Sequence, residues 1–165
     1  MTLLVVRHAD AGRRDHYQGD DRERPLSTEG RAQAAALVEL LRGYRPAAIL
    51  SSAFVRCVET VRPLADALAL PVETTDALAE GHGTEALELL AHRSGATEVL
   101  CTHGDVAAAI LESLGGRGDP AREGRLQKGE VWVVGGEDPG LVITGHLRQP
   151  ATRSGSSGPK PPPVR

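Results

Sequence analysis

Three short segments hold the residues best suited to chemistry. Arg7-His8 follows the apolar run Leu3–Val6, Ser51-Ser52 with Arg56 shortly beyond follows Ala48–Leu50, and His103-Gly104 follows Glu98–Thr102. Each run has the length and composition of a buried strand. If those strands lie parallel, their carboxyl ends share one edge of a sheet, the edge outside which α/β proteins bind ligands. Two histidines and two arginines then converge on one place. Taken singly, a strand-end histidine is more often a hydrogen-bonded structural residue, and a lone arginine usually pairs with a surface acid. Four at equivalent positions need a counter-charge, because like charges repel. Phosphate supplies it: guanidinium offers planar, two-pronged donors, and imidazole offers a nucleophilic nitrogen or a further donor.

The elements that must position these groups are readable around them. Amphipathic stretches separate the runs: Arg31–Leu41 (RAQAAALVELL), Phe54–Leu68 and Thr84–His92. Ser27 is placed to cap a helix starting at Thr28, with Glu29 in its favourable first turn and Gly43 closing it. Ser52 is a similar cap for the next helix, and Pro71 stops that segment. The last two runs, Val131–Val134 and Leu141–Thr144, are separated by GGEDPG, which is turn chemistry. The pattern predicts a three-layer α/β/α fold whose central sheet is mostly parallel and ends in a C-terminal edge hairpin.

At 165 residues the chain is long enough for one domain with a real core. That domain is expected to occupy residues 1–149. From 150 to 165 the sequence turns Ser-, Gly- and Pro-rich without an apolar face, the composition of a disordered tail. Residues 9–24 form a polar loop long enough to serve as an active-site rim.

Composition excludes several functions. Aromatics are only 2%, so stacking on nucleic-acid bases is not expected and the core must rest on Ala, Leu and Val. The formal charge is −3, and three cations, Arg153, Lys160 and Arg165, stand in the acid-free tail, so the body is more acidic still. An acidic body argues against a nucleic-acid partner and leaves any anion site to a local basic pocket. Cys57 and Cys101 lack metal-ligand spacing and read as buried thiols in a reducing cytoplasm. No run approaches about 18 apolar residues and no leader pattern opens the chain, so neither a membrane partner nor secretion is expected.

Other phosphate chemistries fail on inspection. GRLQKG (124–129) has the glycine spacing of a P-loop, but Glu130 stands where lysine is required. A cysteine phosphatase needs an arginine six residues after its nucleophile, where Cys57 meets Pro63 and Cys101 meets Ala107. No HExxH or paired-carboxylate metal cluster stands out. Histidine remains the nucleophile with arginines around it.

VVRHADAG resembles the signature of the histidine phosphatase superfamily, the group that includes cofactor-dependent phosphoglycerate mutases, and is similar to its small SixA-like branch. DRERPLSTEGRAQA (21–34) resembles that branch's helix entry, SSAFVRCVET its S-P-xx-R-xxx-T segment with Ala53 in place of proline, and CTHGDV the segment of the second histidine. Together with KGEVWVV and TGHL, these strings also resemble the phosphatase domain that follows a Nudix domain in actinobacterial MutT-type nucleotide-sanitising enzymes.

The resemblance implies a cytoplasmic phosphohydrolase that needs no metal or other cofactor. His8 would attack phosphorus and become a phosphohistidine, while Arg7, Arg56 and His103 hold the phosphoryl oxygens. Glu80, in DALAEGHG, stands where the superfamily commonly supplies its acid; otherwise it is a solvated loop carboxylate. Arg24 and Lys128 are either substrate contacts or surface cations. His82 either lines the pocket or belongs to the GHG turn. The expected partner is a small phosphorylated substrate, a nucleotide or other phosphoester, or else a phosphohistidine protein. A phosphomutase and a non-enzymatic phospho-ligand binding module are the remaining alternatives.

Overall fold

The computed structural model describes residues 1–115, 125–136 and 140–150. The expected tail lies outside the described residues except for Pro150, as do 137–139 of the expected hairpin turn.

Six strands form one sheet: β1 (Thr2–Arg7), β2 (Ala48–Ser51), β3 (Val72–Thr74), β4 (Thr97–Thr102), β5 (Val131–Gly135) and β6 (Val142–Leu147). Their order is β3-β2-β4-β1-β5-β6. The β3-β2, β2-β4 and β4-β1 pairs are parallel, whereas β5 runs antiparallel to both β1 and β6. The hairpin is therefore present, with a register shift at Val133/Val134.

Side chains alternate across the sheet, so each strand feeds two cores. Leu4, Val6, Ile49, Val99 and Val131 pack with Leu37 and Leu41 of α1 (Thr28–Leu41) and with Val61 and Leu64 of α2 (Val55–Leu68). Leu3, Val5, Leu100 and Val134 pack on the opposite face with Leu90 of α3 (Gly83–Ala91) and Ile110 of α4 (Gly104–Leu114). Burial of each such side chain contributes about 2 kcal/mol. Three layers, α/β/α, result. Trp132 is fully buried in the second core, so an aromatic-poor sequence still spends its one tryptophan inside.

Ser27 caps α1 as expected, its Oγ accepting the Gly30 N–H at 3.0 Å. The same hydroxyl donates to Asp10 Oδ2 at 2.6 Å and thereby fastens the loop after β1 to the helix. Gly30 permits that contact, since a Cβ there would lie 1.8 Å from the Asp10 carbonyl oxygen. Two local expectations need correction. Gly43 does not close α1; a 3-10 turn follows at Arg42–Tyr44 and the left-handed residue is Arg45, at φ 51°. Ser52 does not cap α2, whose N-terminal flanking residue is Phe54 and has no side-chain cap. Its hydroxyl is engaged elsewhere, with His103.

Candidate active site

Strand register brings the two histidines level. Arg7 of β1 pairs with Thr102 of β4, and the His8 N–H donates to the Thr102 carbonyl at 2.9 Å. The next residue of each strand is then a histidine, and the two rings meet edge to face with centroids 5.4 Å apart. Ser51 pairs with Cys101 one strand over, and Ser52 and the first turn of α2 bring Arg56 to the same edge.

The local backbone fixes the tautomer of His8. Its Nδ1 lies 2.8 Å from the Ala9 carbonyl oxygen, an acceptor only, so Nδ1 carries the proton and Nε2 keeps a free lone pair. Ala9 is held in turn, because its N–H donates to Thr60 Oγ1 at 2.9 Å while that hydroxyl donates to the Arg56 carbonyl. Burial lowers the His8 pKa to about 3, and the neighbouring His103, Arg56 and Arg7 push the same way against the Ala9 hydrogen bond. The ring is neutral at physiological pH, the state a nucleophile requires.

Donors surround it. Arg7 is anchored by Nη1 on the Leu126 carbonyl at 2.8 Å, and burial together with nearby Arg125 lowers its pKa. Arg56 is 1% exposed; its Nη1 donates to the Asp21 carbonyl at 2.7 Å, its Nη2 lies 3.1 Å from Asp21 Oδ2, and its guanidinium stacks 4.8 Å from the Phe54 ring centre. Nε of Arg7, Nε of Arg56 and Nδ1 of His103 are buried without a hydrogen-bond partner among the described residues. Unpaired buried donors are costly in an apolar interior and suit a site that takes an anion.

These four side chains line a cleft of about 410 Å³. Glu80 lines it as well, 3.7 Å from Arg56 and bonded through both oxygens to Arg14. Arg24 and Lys128 also face the cleft, each with partners of its own. Arg24 donates to the Ala11 carbonyl at 2.6 Å and to Asp21 at 2.8 Å, and Lys128 reaches Asp10 Oδ1 at 2.7 Å. His82 is not among the described lining residues; it flanks α3, 3.5 Å from Glu85.

Further residues complete the cleft and its support, two of them, Arg14 and Asp21, from the loop expected to form its rim. Arg14 lies in the polar rim loop, Asp105 two residues after His103, and Arg125 in the failed P-loop string; all three line the cleft. Asp21 is the hub behind them, pairing with Arg24, Arg56 and Arg14. Partial burial opposes its ionisation, but the three guanidiniums outweigh that and hold its carboxyl below the usual range. Among the described residues no group of three or more His, Cys, Asp or Glu side chains is arranged to hold a metal ion, and no helix is long and apolar enough to cross a membrane.

A neutral histidine with a free ring nitrogen, ringed by buried arginines and a second histidine at the carboxyl edge of a three-layer α/β/α sheet, has the composition to receive a phosphoryl group. Residues 3–86, just over half of the chain, match the family model of the histidine phosphatase superfamily (branch 1), and the chain belongs to that superfamily. An 8-oxo-(d)GTP phosphatase of Mycolicibacterium smegmatis is 40% identical over 158 residues, which is 90% of this chain and 48% of that protein. The chain thus spans about half the length of this curated relative, which agrees with the resemblance to the phosphatase domain of nucleotide-sanitising enzymes. Among solved structures, a protein assigned as the phosphohistidine phosphatase SixA from Agrobacterium tumefaciens superposes with a TM-score of 0.75 at 24% identity, covering 90% of this chain and 97% of that one. The protein histidine phosphatase SixA complexed with tungstate gives a TM-score of 0.69 at 22% identity, with 89% and 96% covered. These likenesses establish the phosphoglycerate mutase-like fold.

Proposed function

We propose that the chain hydrolyses phosphomonoesters or related phosphoryl compounds through a covalent phosphohistidine at His8. The observation that carries this reading is the pinned Nδ1–H of His8, which leaves a neutral Nε2 beside three unpaired buried donors. Nε2 attacks phosphorus in line and the bond to the leaving oxygen breaks. Arg7, Arg56 and His103 hold the three equatorial oxygens and stabilise the charge that develops on them. Glu80, a carboxylate held by Arg14 in the resting site, relays to the leaving oxygen the proton that enters with a monoprotonated phosphoryl substrate, then takes one from the water that attacks the phosphohistidine and releases inorganic phosphate. Asp21 and Arg14 keep Arg56 and Glu80 in place, and Arg24 and Lys128 secure the rim against which the rest of the substrate lies. Positive charge at each step comes from the arginines, so the cycle runs without a metal.

The substrate class favoured is a nucleotide, on the strength of the mycobacterial relative. A phosphohistidine protein is the second reading, favoured by the likeness to SixA. A cytoplasmic setting fits both. Hydrolysis of an aryl phosphate that persists in EDTA and vanishes in His8→Ala tests the chemistry; full activity in that variant would end the mechanism. A screen of nucleotides, sugar phosphates and a phosphohistidine protein then separates the substrate readings. Tight phosphate binding without turnover of any of them would favour a binding module.

A further inference from the structure

Ser52 is buried, and its Oγ lies 2.8 Å from Nε2 of His103. The hydroxyl accepts the Phe54 N–H at 3.4 Å, which leaves its own proton to place. Among the described residues, the hydrogen-bond acceptor within reach of that proton is His103 Nε2. Cys57 Sγ stands 3.5 Å from the same nitrogen, with the Thr102 carbonyl 3.8 Å away and the Cys101 side chain also in contact with it. Nε2 is therefore faced at hydrogen-bond distance by the Ser52 hydroxyl, whose hydrogen has no other acceptor among the described residues, and more distantly by the Cys57 sulfur. Burial raises the Cys57 pKa, but contacts with Cys101 and His103 outweigh it and bring it to about 6, so that Cys57 competes with Ser52 for the ring nitrogen. A neutral imidazole that accepts at Nε2 carries its proton at Nδ1. That nitrogen is buried and unpartnered, on a ring that lines the cleft beside His8. The opposite tautomer would present a bare lone pair to an incoming phosphoryl oxygen.

We propose that Ser52 is a positioning residue whose hydroxyl fixes the tautomer and orientation of His103, so that Nδ1–H is the donor offered to the phosphoryl group. This explains why a serine just before α2 leaves the helix uncapped: its hydroxyl is committed to a residue 51 positions away. The catalytic part of the proposal rests on the phosphatase reading above, whereas the tautomer does not.

The test is two-bond 15N–1H correlation of the His103 ring in the full chain, with Ser52→Ala and Cys57→Ala as variants and aryl phosphate kinetics alongside. The neutral ring of the wild type is expected to be protonated at Nδ1, and Ser52→Ala is expected to move it toward an Nε2–H population. That variant should lower kcat about tenfold with KM within about twofold. A wild-type ring protonated at Nε2 would overturn the proposal. So would a tautomer unmoved by Ser52→Ala, or one moved by Cys57→Ala alone. If no phosphate ester turns over, the spectrum still decides the tautomer, and the failure then belongs to the phosphatase reading.

Discussion

Arg14 grips both carboxylate oxygens of Glu80, at 2.7 and 2.9 Å, and so ties the loop after β1 to the turn before α3. The same guanidinium lies 3.2 Å from Asp21, which places the candidate acid inside the network that also holds Arg56. An acid is needed in proportion to the basicity of the leaving oxygen. Glu80→Gln should therefore reduce hydrolysis of an alkyl phosphate by about a hundredfold or more, and that of an aryl phosphate with an acidic phenol far less. Equal losses on the two substrates would remove Glu80 from proton transfer.

Gly104 gives Arg7 its room. A Cβ at that position would lie 2.9 Å from the Arg7 guanidinium, whose Nη1 is anchored on Leu126. The end of a side chain yields more readily than backbone, so Gly104→Ala should displace Arg7 and leave the fold nearly intact. The expected result is a loss of kcat/KM of about a hundredfold with a melting temperature near that of the wild type. Full activity in this variant would show that Arg7 does not need its observed position.

His8 makes the fold sensitive to acid. Burial, reinforced by His103, Arg56 and Arg7, brings its pKa from 6.5 down to about 3 in the folded chain. Between those values the unfolded chain takes up a proton that the native chain refuses, so native stability is fully present above about 6.5 and falls as pH drops toward 3. The loss is at most about 5 kcal/mol for this one group. His8→Gln does not titrate in either state and should lose less stability between pH 7 and pH 4, read from denaturant midpoints. Equal losses would mean that His8 is not held neutral by the fold. The wild-type rate, for the same reason, should show no acid limb near pH 6.5 from protonation of the nucleophile.

Asp21 is the hinge of the arginine network. Asp21→Asn keeps the size but removes the charge that faces Arg24 at 2.8 Å and Arg56 at 3.1 Å, two guanidiniums that are almost fully buried. Stability should fall by about 2 kcal/mol, and KM should rise as Arg56 loses its fixed direction. Urea unfolding and steady-state kinetics on the same preparation measure both effects. Unchanged values in both would contradict the role given to Asp21.

The site was legible wherever strand and motif coincided. The continuous apolar runs marked β1, β2, β4, β5 and β6, and parallel pairing then dictated that Arg7-His8 and His103 emerge together. β3 passed unseen because it is three residues long and none of them is fully buried. Ser52 misled because a serine before a helix looks like a cap, and only the tertiary fold brings His103 to it. Backbone direction was equally hidden, so the acceptor for His8 Nδ1–H, the carbonyl of its own neighbour Ala9, had no signature in residue types. Arg14 and Asp105 stand in or beside stretches whose polarity was evident, but their inward aim depends on an ion pair with Glu80 and a hydrogen bond from the Gly81 N–H, formed across long separations.

In the proposed cycle Nε2 of His8 carries the phosphoryl group. Rapid acid-free quenching of the full chain during turnover of a 32P-labelled phosphate ester, followed by peptide mapping, reads it directly. The mechanism predicts alkali-stable, acid-labile label on the peptide that contains His8, chased into inorganic phosphate by water and abolished by His8→Ala. Turnover with no label on His8, or label retained when His8 is replaced, would contradict it.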